Sequence, residues 1–395
     1  MPDIKQGFSL PPEQRIPRDQ WDRAPWNRWS FQNVRQMVPT TEVWRGTGPV
    51  REFVRNPQDL GKVQFSDADA NPSSLQTWID SSYTDGILLL HRGEIVFEQY
   101  HNNMTERTLH LSQSMAKSIV AAVASILIGR GLIDPTEQVT GYLPELGATA
   151  WQGATLQQVM DMTTGVRYVE DYEALDSDIA VTDIACGWKP PRRDFDTPRC
   201  IWDQILTLTK QVREHGEKFQ YRSIETDVLA HCLERVTGTR LAELVSRELW
   251  QPLGCEESAN FTVDEAGYAL ACGGFNATLR DYARFGQMLL QQGKVGDTQL
   301  LPADWIEDIH NADHGLFGEP YTQAAPNGGY RNQFWIDDVD RPGFMARGVF
   351  GQLIYVDPAQ QVVTVKLSSW PEFTSLPRLK TALNAIHTIG EYLNR

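Results

Sequence analysis

A serine and a lysine stand three residues apart in Ser114-Met115-Ala116-Lys117, just ahead of the apolar run 119–133. If this stretch is helical, the two side chains share a face and can touch. A hydroxyl beside an amine pairs a nucleophile with a proton acceptor. On a first helical turn, developing negative charge would sit near free amides and the positive dipole end. The neighbours Met115, Ala116, Ile119 and Val120 predict desolvation, which favours the neutral amine that can act as a base. The same tetrad also fits an N-cap serine followed by a solvent-facing lysine.

Three other stretches carry residues of the right kinds. Tyr221-Arg222-Ser223 precedes a helix starting near Ile224; it could supply a phenol, or simply be a turn with an N-cap serine. Arg347-Gly348-Val349-Phe350-Gly351-Gln352 places glycines in a strand-like run, which marks close approach of a ligand or backbone, or a plain bulge. The stretch Glu170, Asp171, Tyr172, Glu173, Asp176, Asp178 and Asp183 is acidic. It reads either as a solvated charge run or as a patch for a substrate ammonium. The chain has no Gly-x-Ser-x-Gly elbow, Walker loop, His-Glu-x-x-His or Gly-x-Gly-x-x-Gly, and its eight histidines do not cluster at metal-ligand spacing. No metal or cofactor is expected.

The elements that must position these residues follow from patterning. Residues 86–100 read as a hairpin turning at Arg92-Gly93. A short helix over 73–84 opens at Ser73 or Ser74, and a strong helix over 114–130 stops near Gly131. Further helical periodicity covers 155–163, 200–213, 224–237, 240–250, 278–292 and 302–309. Strand-like runs follow at 333–338, 345–357 and 361–369, and an amphipathic helix at 377–394 closes the chain. This order predicts an α/β (α+β) fold: an antiparallel sheet flanked by helices, with an inserted all-helical subdomain. The expected organisation is an N-terminal arm over 1–70, an α/β domain formed by 71–145 and 263–395, and a helical subdomain over 146–262. Trp21, Trp26, Trp29, Phe31 and Trp44 imply that the arm wraps the body rather than floating.

Composition narrows the function classes. The 395 residues are 41% hydrophobic and 22% charged, which suits a globular chain long enough for a sizeable core. A formal charge of −15 disfavours nucleic acid and anionic membranes. Five widely spaced cysteines without a framework fit a reducing compartment. The first 20 residues lack an apolar h-region, and no run reaches the roughly 18 apolar residues that span a membrane. A cytoplasmic location is expected, with a small-molecule substrate as partner and a homodimer left open.

Taken together, Ser114-x-x-Lys117, Tyr221-x-Ser223, the block from Leu156 to Gly165 and Gly273-Gly274 followed by Thr278 to Gly286 resemble the penicillin-recognising serine hydrolases. The resemblance covers most of 73–390 and is to the branch related to class C β-lactamases. Within that branch, the Trp-rich arm makes the chain look most like the hydrolases of 6-aminohexanoate (nylon) oligomers and their carboxylesterase relatives. The resemblance implies a β-lactamase-like fold and a catalytic centre of Ser114, Lys117 and Tyr221. It also implies an oxyanion hole from the amides of Ser114 and Val349, with Tyr172, Asp183 and Gly348 around the substrate. Two departures stand out. Ser223 replaces the usual Asn of the tyrosine box, and Ala346-Arg347-Gly348 stands where Lys-Thr-Gly is usual, which argues against lactam turnover. The expected activity is acyl transfer from small amides or esters to water. A β-lactamase or D-amino-acid peptidase, or a catalytically silent binding protein on the same scaffold, are the alternatives.

Overall fold

A computed structural model describes residues 15–192 and 197–395; the reading of the first residues as lacking an h-region lies largely outside them. The hairpin forms as its alternation dictates, from β1 (Thr84–His91) and β2 (Glu94–Tyr100). Arg92 and Gly93 both take left-handed backbone, φ 52° and 83°, as a two-residue turn between right-twisted strands demands. Five later strands complete a sheet: β3 (Gly329–Arg331), β4 (Phe334–Ile336), β5 (Phe344–Gly348), β6 (Gln352–Asp357) and β7 (Val362–Ser368). Their spatial order is β3-β4-β5-β6-β7-β1-β2, antiparallel throughout.

The run 345–357, read above as one strand, is two. A tight turn at Val349–Gly351 separates β5 from β6, with Phe350 at φ 62° and Gly351 at φ 86°. Gly348 and Gly351, the sequence signal of a bulge or close approach, flank this turn.

Alternate side chains of the sheet feed two cores. Leu88, Leu90, Ile354, Val356, Val363 and Val365 join the main core, where α3 (Leu279–Leu290) lies across the central strands. That helix sits close because residue 286 is glycine: a Cβ there would come within 2.5 Å of Val363. Ile87, Leu89, Leu353 and Tyr355 cluster on the other face with Leu383, Ile386 and Ile389 of α4 (Leu376–Leu393). The antiparallel sheet flanked by helices is thus present.

Helix α1 (Ala116–Gly129) is buried from Ala116 to Leu127, so its uniformly apolar sequence reflects a central position. It packs against α2 (Ile224–Thr237). A four-stranded sheet not read from the sequence joins Thr40–Val43, Ala259–Thr262, Phe275–Ala277 and His110–Leu111, in that spatial order. Its strands are short and separated by more than 200 residues at the extremes, so no local pattern announces them. Through it the N-terminal arm pairs with the rest of the chain. Trp21 and Phe31 are fully buried, whereas Trp44 is half exposed. All five cysteines are buried free thiols. Among the described residues no helix is long and apolar enough to cross a membrane.

Candidate active site

Ser114 lies on a single 3-10 turn, Gln113–Met115, that carries the chain from His110–Leu111 into α1. It is not an N-cap. The residue before it, Gln113, is held at φ 49°, a conformation that costs a non-glycine residue roughly 1 kcal/mol or more and tends to persist at functional sites. The end of β5 runs directly against this turn. A Cβ on Gly348 would lie 2.5 Å from the Ser112 carbonyl oxygen and 3.0 Å from the Ser114 amide nitrogen. Only glycine lets Val349 follow at this distance from the serine.

Lys117, one turn on, is buried rather than solvent-facing. Its Nζ donates to Ser114 Oγ at 2.9 Å, Ser223 Oγ at 3.1 Å and the Cys272 carbonyl at 2.7 Å. An ammonium has three donors, and each has an acceptor. Burial pulls its pKa down, but Tyr221, Cys272 and Glu170 together outweigh it, and the amine ends above its ordinary value. The desolvation expected from its apolar neighbours is present, and acidic groups brought by other segments outweigh it. Its acceptors come from segments 106 and 155 residues away, beyond what neighbouring apolar residues can reveal.

Tyr221 precedes α2, with its ring 5.0 Å from Lys117 Nζ and its hydroxyl interacting with both Ser114 and Lys117. Its backbone amide donates to Tyr321 Oη at 2.9 Å, and its ring stacks on Trp335 at 5.3 Å. Burial raises the phenol pKa and Glu170 adds to this, while Lys117 opposes them.

The acidic stretch divides by partner. Asp178 caps the turn at Val169 and pairs with Arg167. Glu170 instead reaches inward, accepting from the Ser223 amide at 2.5 Å, Ser223 Oγ at 2.6 Å and Tyr172 Oη at 2.5 Å. A continuous chain of hydrogen bonds thus runs Glu170–Ser223–Lys117–Ser114. Asp183 lies on a helix, Asp178–Ala185, that the acidic composition had disguised as a loop. Burial, then the nearby Asp22, push its carboxyl up to about 7, against Lys189 and Arg23.

Two cavities meet at Ser114. A small one of about 40 Å³ is lined by Asp22, Gln113, Asp183, Trp188 and Ser223. A large one of about 410 Å³ is lined by Tyr221, Trp335, Arg347, Gly348, Lys366 and Trp370. Ser114, Tyr172, Val349 and Phe373 line both. Ser114, Tyr172 and Val349 lie at this junction, Tyr221 and Gly348 on the large cavity and Asp183 on the small one, while Lys117 lines neither and reaches the site through Ser114. Glu170, Trp335 and Phe373 were not singled out for the site. Glu170 had no mark within its acidic run; the aromatic loop Trp370-Pro371-Glu372-Phe373 was a signal left unused.

Comparison with known proteins agrees with this geometry. The model of the β-lactamase family matches residues 83–387. The chain belongs to the β-lactamase family. It is 35% identical to the 6-aminohexanoate-dimer hydrolase of Paenarthrobacter ureafaciens over 358 residues, 90% of this chain and 88% of that protein. Esterase EstB of Burkholderia gladioli is 28% identical over 173 residues, 42% of each chain. A Bacillus anthracis structure provisionally named a 6-aminohexanoate-dimer hydrolase superposes with a TM-score of 0.90 at 30% identity, covering 98% of this chain and 99% of that one. EstCE1, a hydrolase with promiscuous acyltransferase activity, shares the fold at a TM-score of 0.62 and 16% identity, over 78% of this chain and 96% of that one. This member of the family is a hydrolase of the amidase and esterase type.

Proposed function

We propose that the chain hydrolyses small amides and esters through an acyl-enzyme on Ser114, and that linear 6-aminohexanoate amides are among its substrates. Ser114 Oγ attacks the carbonyl carbon, and the amides of Ser114 and Val349 receive the developing oxyanion. Tyr221, in the phenolate form that a charged Lys117 favours, takes the hydroxyl proton and passes it to the leaving amine or alcohol. Water repeats the sequence on the acyl-enzyme, and the serine is released.

The observation that carries this reading is the contact between Lys117 and Ser114, 2.9 Å, in a buried site where Tyr221 faces both. A charged Lys117 acts as the fixed positive charge that favours the phenolate of Tyr221, the form able to accept that proton. The network through Ser223 to Glu170 holds that charge in place. The absence of Lys-Thr-Gly and the acidic small cavity favour an amine-bearing amide over a β-lactam, with Asp183 facing the ammonium and Tyr172 and Gly348 flanking the reacting carbonyl.

Ser114→Ala removes only a hydroxyl at the start of a helix. It is expected to abolish p-nitrophenyl butyrate hydrolysis while leaving the circular dichroism spectrum and melting temperature near those of the parent. Turnover surviving at a level near the parent's would end the assignment.

A further inference from the structure

The turn between β3 and β4 consists of Asn332 and Gln333, since Arg331 pairs with Phe334. Both take left-handed backbone, φ 52° and 65°. A two-residue hairpin turn of this kind strongly favours glycine at its second position, where a larger side chain is strained. Connecting turns also normally face water. This one is buried, with Asn332 at 0% and Gln333 at 1% exposure. A strained, buried glutamine where glycine would suit the backbone calls for a reason in its side chain.

Gln333 ties together three segments around the proton-transfer pair. Its backbone amide donates to the Met160 carbonyl at 3.1 Å. Its Nε2 donates to the same oxygen at 3.0 Å and to the Val159 carbonyl at 3.3 Å. Its Oε1 accepts from Thr226 Oγ1 at 2.7 Å, and its carbonyl accepts from Ser118 Oγ at 2.7 Å. Ser118 follows Lys117 on α1, and Thr226 stands three residues after Ser223, at the start of α2. Gln333 thus joins α1 to the start of α2, as does the 3.1 Å contact from Lys117 to Ser223. Its third anchor, the helix Leu156–Met160, leads to Met162, whose carbonyl accepts from the Gln220 amide at 3.0 Å, next to Tyr221. Two residues beyond Gln333, Trp335 stacks on the Tyr221 ring.

We infer that Gln333 is a positioning residue for the reaction: it sets α1 against α2 so that the charge of Lys117 stands where it favours the phenolate of Tyr221. This rests on Ser114, Lys117 and Tyr221 being the reacting centre. Gln333 lines neither cavity, so it acts on turnover and not on substrate binding. A glycine in its place would relax the turn and keep the bond from Ser118, which uses the backbone carbonyl. It would give up the bond from Thr226 and both bonds of Nε2, leaving buried polar groups without those partners. Lys117 is also acted on by Glu170, Asp227 and Cys272. Tyr221 is also acted on by Glu170 and Arg347 and by the phenols of Tyr172, Tyr321 and Tyr330. All of these groups remain in the variants that test the inference.

The test uses hydrolysis of p-nitrophenyl butyrate, with active enzyme counted by fluorophosphonate titration so that misfolded protein drops out. Gln333→Gly is expected to lower kcat about tenfold with KM within about twofold of the parent, because a small displacement at a reacting centre costs turnover. With Lys117 less firmly set, the pKa of the Tyr221 phenol rises, so the rising limb of the kcat–pH profile should move to higher pH. Thr226→Val removes one of the same bonds with little change of shape and should show both effects to a lesser degree. Thr226→Ser keeps the hydroxyl and should restore the parent values. The Thr226 pair decides the matter if Gln333→Gly does not fold. Parent-like kcat and pH profile in Gln333→Gly, or equal behaviour of Thr226→Val and Thr226→Ser, overturns the inference. A fall in kcat with the profile unmoved also overturns it, because a merely structural role would give that result. Esterase turnover by Ser114→Ala would instead mark failure of the nucleophile assignment.

Discussion

The two cavities that meet at Ser114 are opposites in size, charge and origin. The small one is acidic, with Asp22 from the N-terminal arm and Asp183 from the helix Asp178–Ala185. The large one is aromatic and cationic, with Arg347 from β5 and Lys366 from β7. Burial acts on both in the same physical way and with opposite sign. It pushes Asp183 up to about 7, Arg347 down to about 10 and Lys366 down to about 7. At neutral pH this leaves Asp183 and Lys366 near the boundary between their charged and neutral forms, while Arg347 stays charged. The sheet and the added segments thus line separate cavities, with Ser114 between them.

The largest expected effect is at the shared centre. Lys117→Ala and Tyr221→Phe should each lower kcat by roughly 10²–10⁴-fold on every substrate, charged or neutral, because proton transfer serves both cavities equally. The double variant should lose far less than the product of the two single losses. Multiplying losses would mean that the two side chains act independently, and the coupled Lys117–Tyr221 pair would be wrong.

A smaller and selective effect is expected in the acidic cavity. Asp183→Asn should weaken turnover of an amine-bearing substrate, such as the linear 6-aminohexanoate dimer, by about tenfold relative to a neutral ester of similar size. Equal losses on both would reduce Asp183 to a structural acid. The smallest effect is in pH dependence. A carboxyl raised to about 7 is mostly protonated at pH 6 and ionised at pH 8. KM for the amine-bearing substrate should therefore fall several-fold over that interval, as the charge that attracts the ammonium appears. The Asn variant should show no such fall. Stability runs the other way: the raised folded pKa favours the protonated native state, so this contribution is present at low pH and lost as pH rises from about 4 through about 7. Steady-state kinetics at pH 6, 7 and 8 on parent and variant read the first of these directly.

Much of this was legible where local pattern decides structure. Three-residue spacing placed Ser114 and Lys117 on one face, and Arg92-Gly93 marked the hairpin turn. The amphipathic run at the end became α4. What escaped was decided by distant segments. Two of the acceptors of Lys117 are Ser223 and the Cys272 carbonyl, and Glu170 joins the network only because Ser223 folds onto it. Gly348 and Gly351 signalled an irregularity in the run 345–357 without fixing it as the β5–β6 turn. The turn's key residue, Phe350, takes left-handed backbone that its side-chain type disfavours. Arg347 was visible only as a departure from Lys-Thr-Gly.

The central claim is that Ser114 is the covalent centre between the two cavities, and fluorophosphonate labelling followed by peptide mass spectrometry tests it most directly. The account predicts one adduct, on the peptide containing Ser114, forming in step with loss of esterase activity and slowed in Lys117→Ala. An adduct on another residue, or full esterase activity after complete labelling of Ser114, would contradict it.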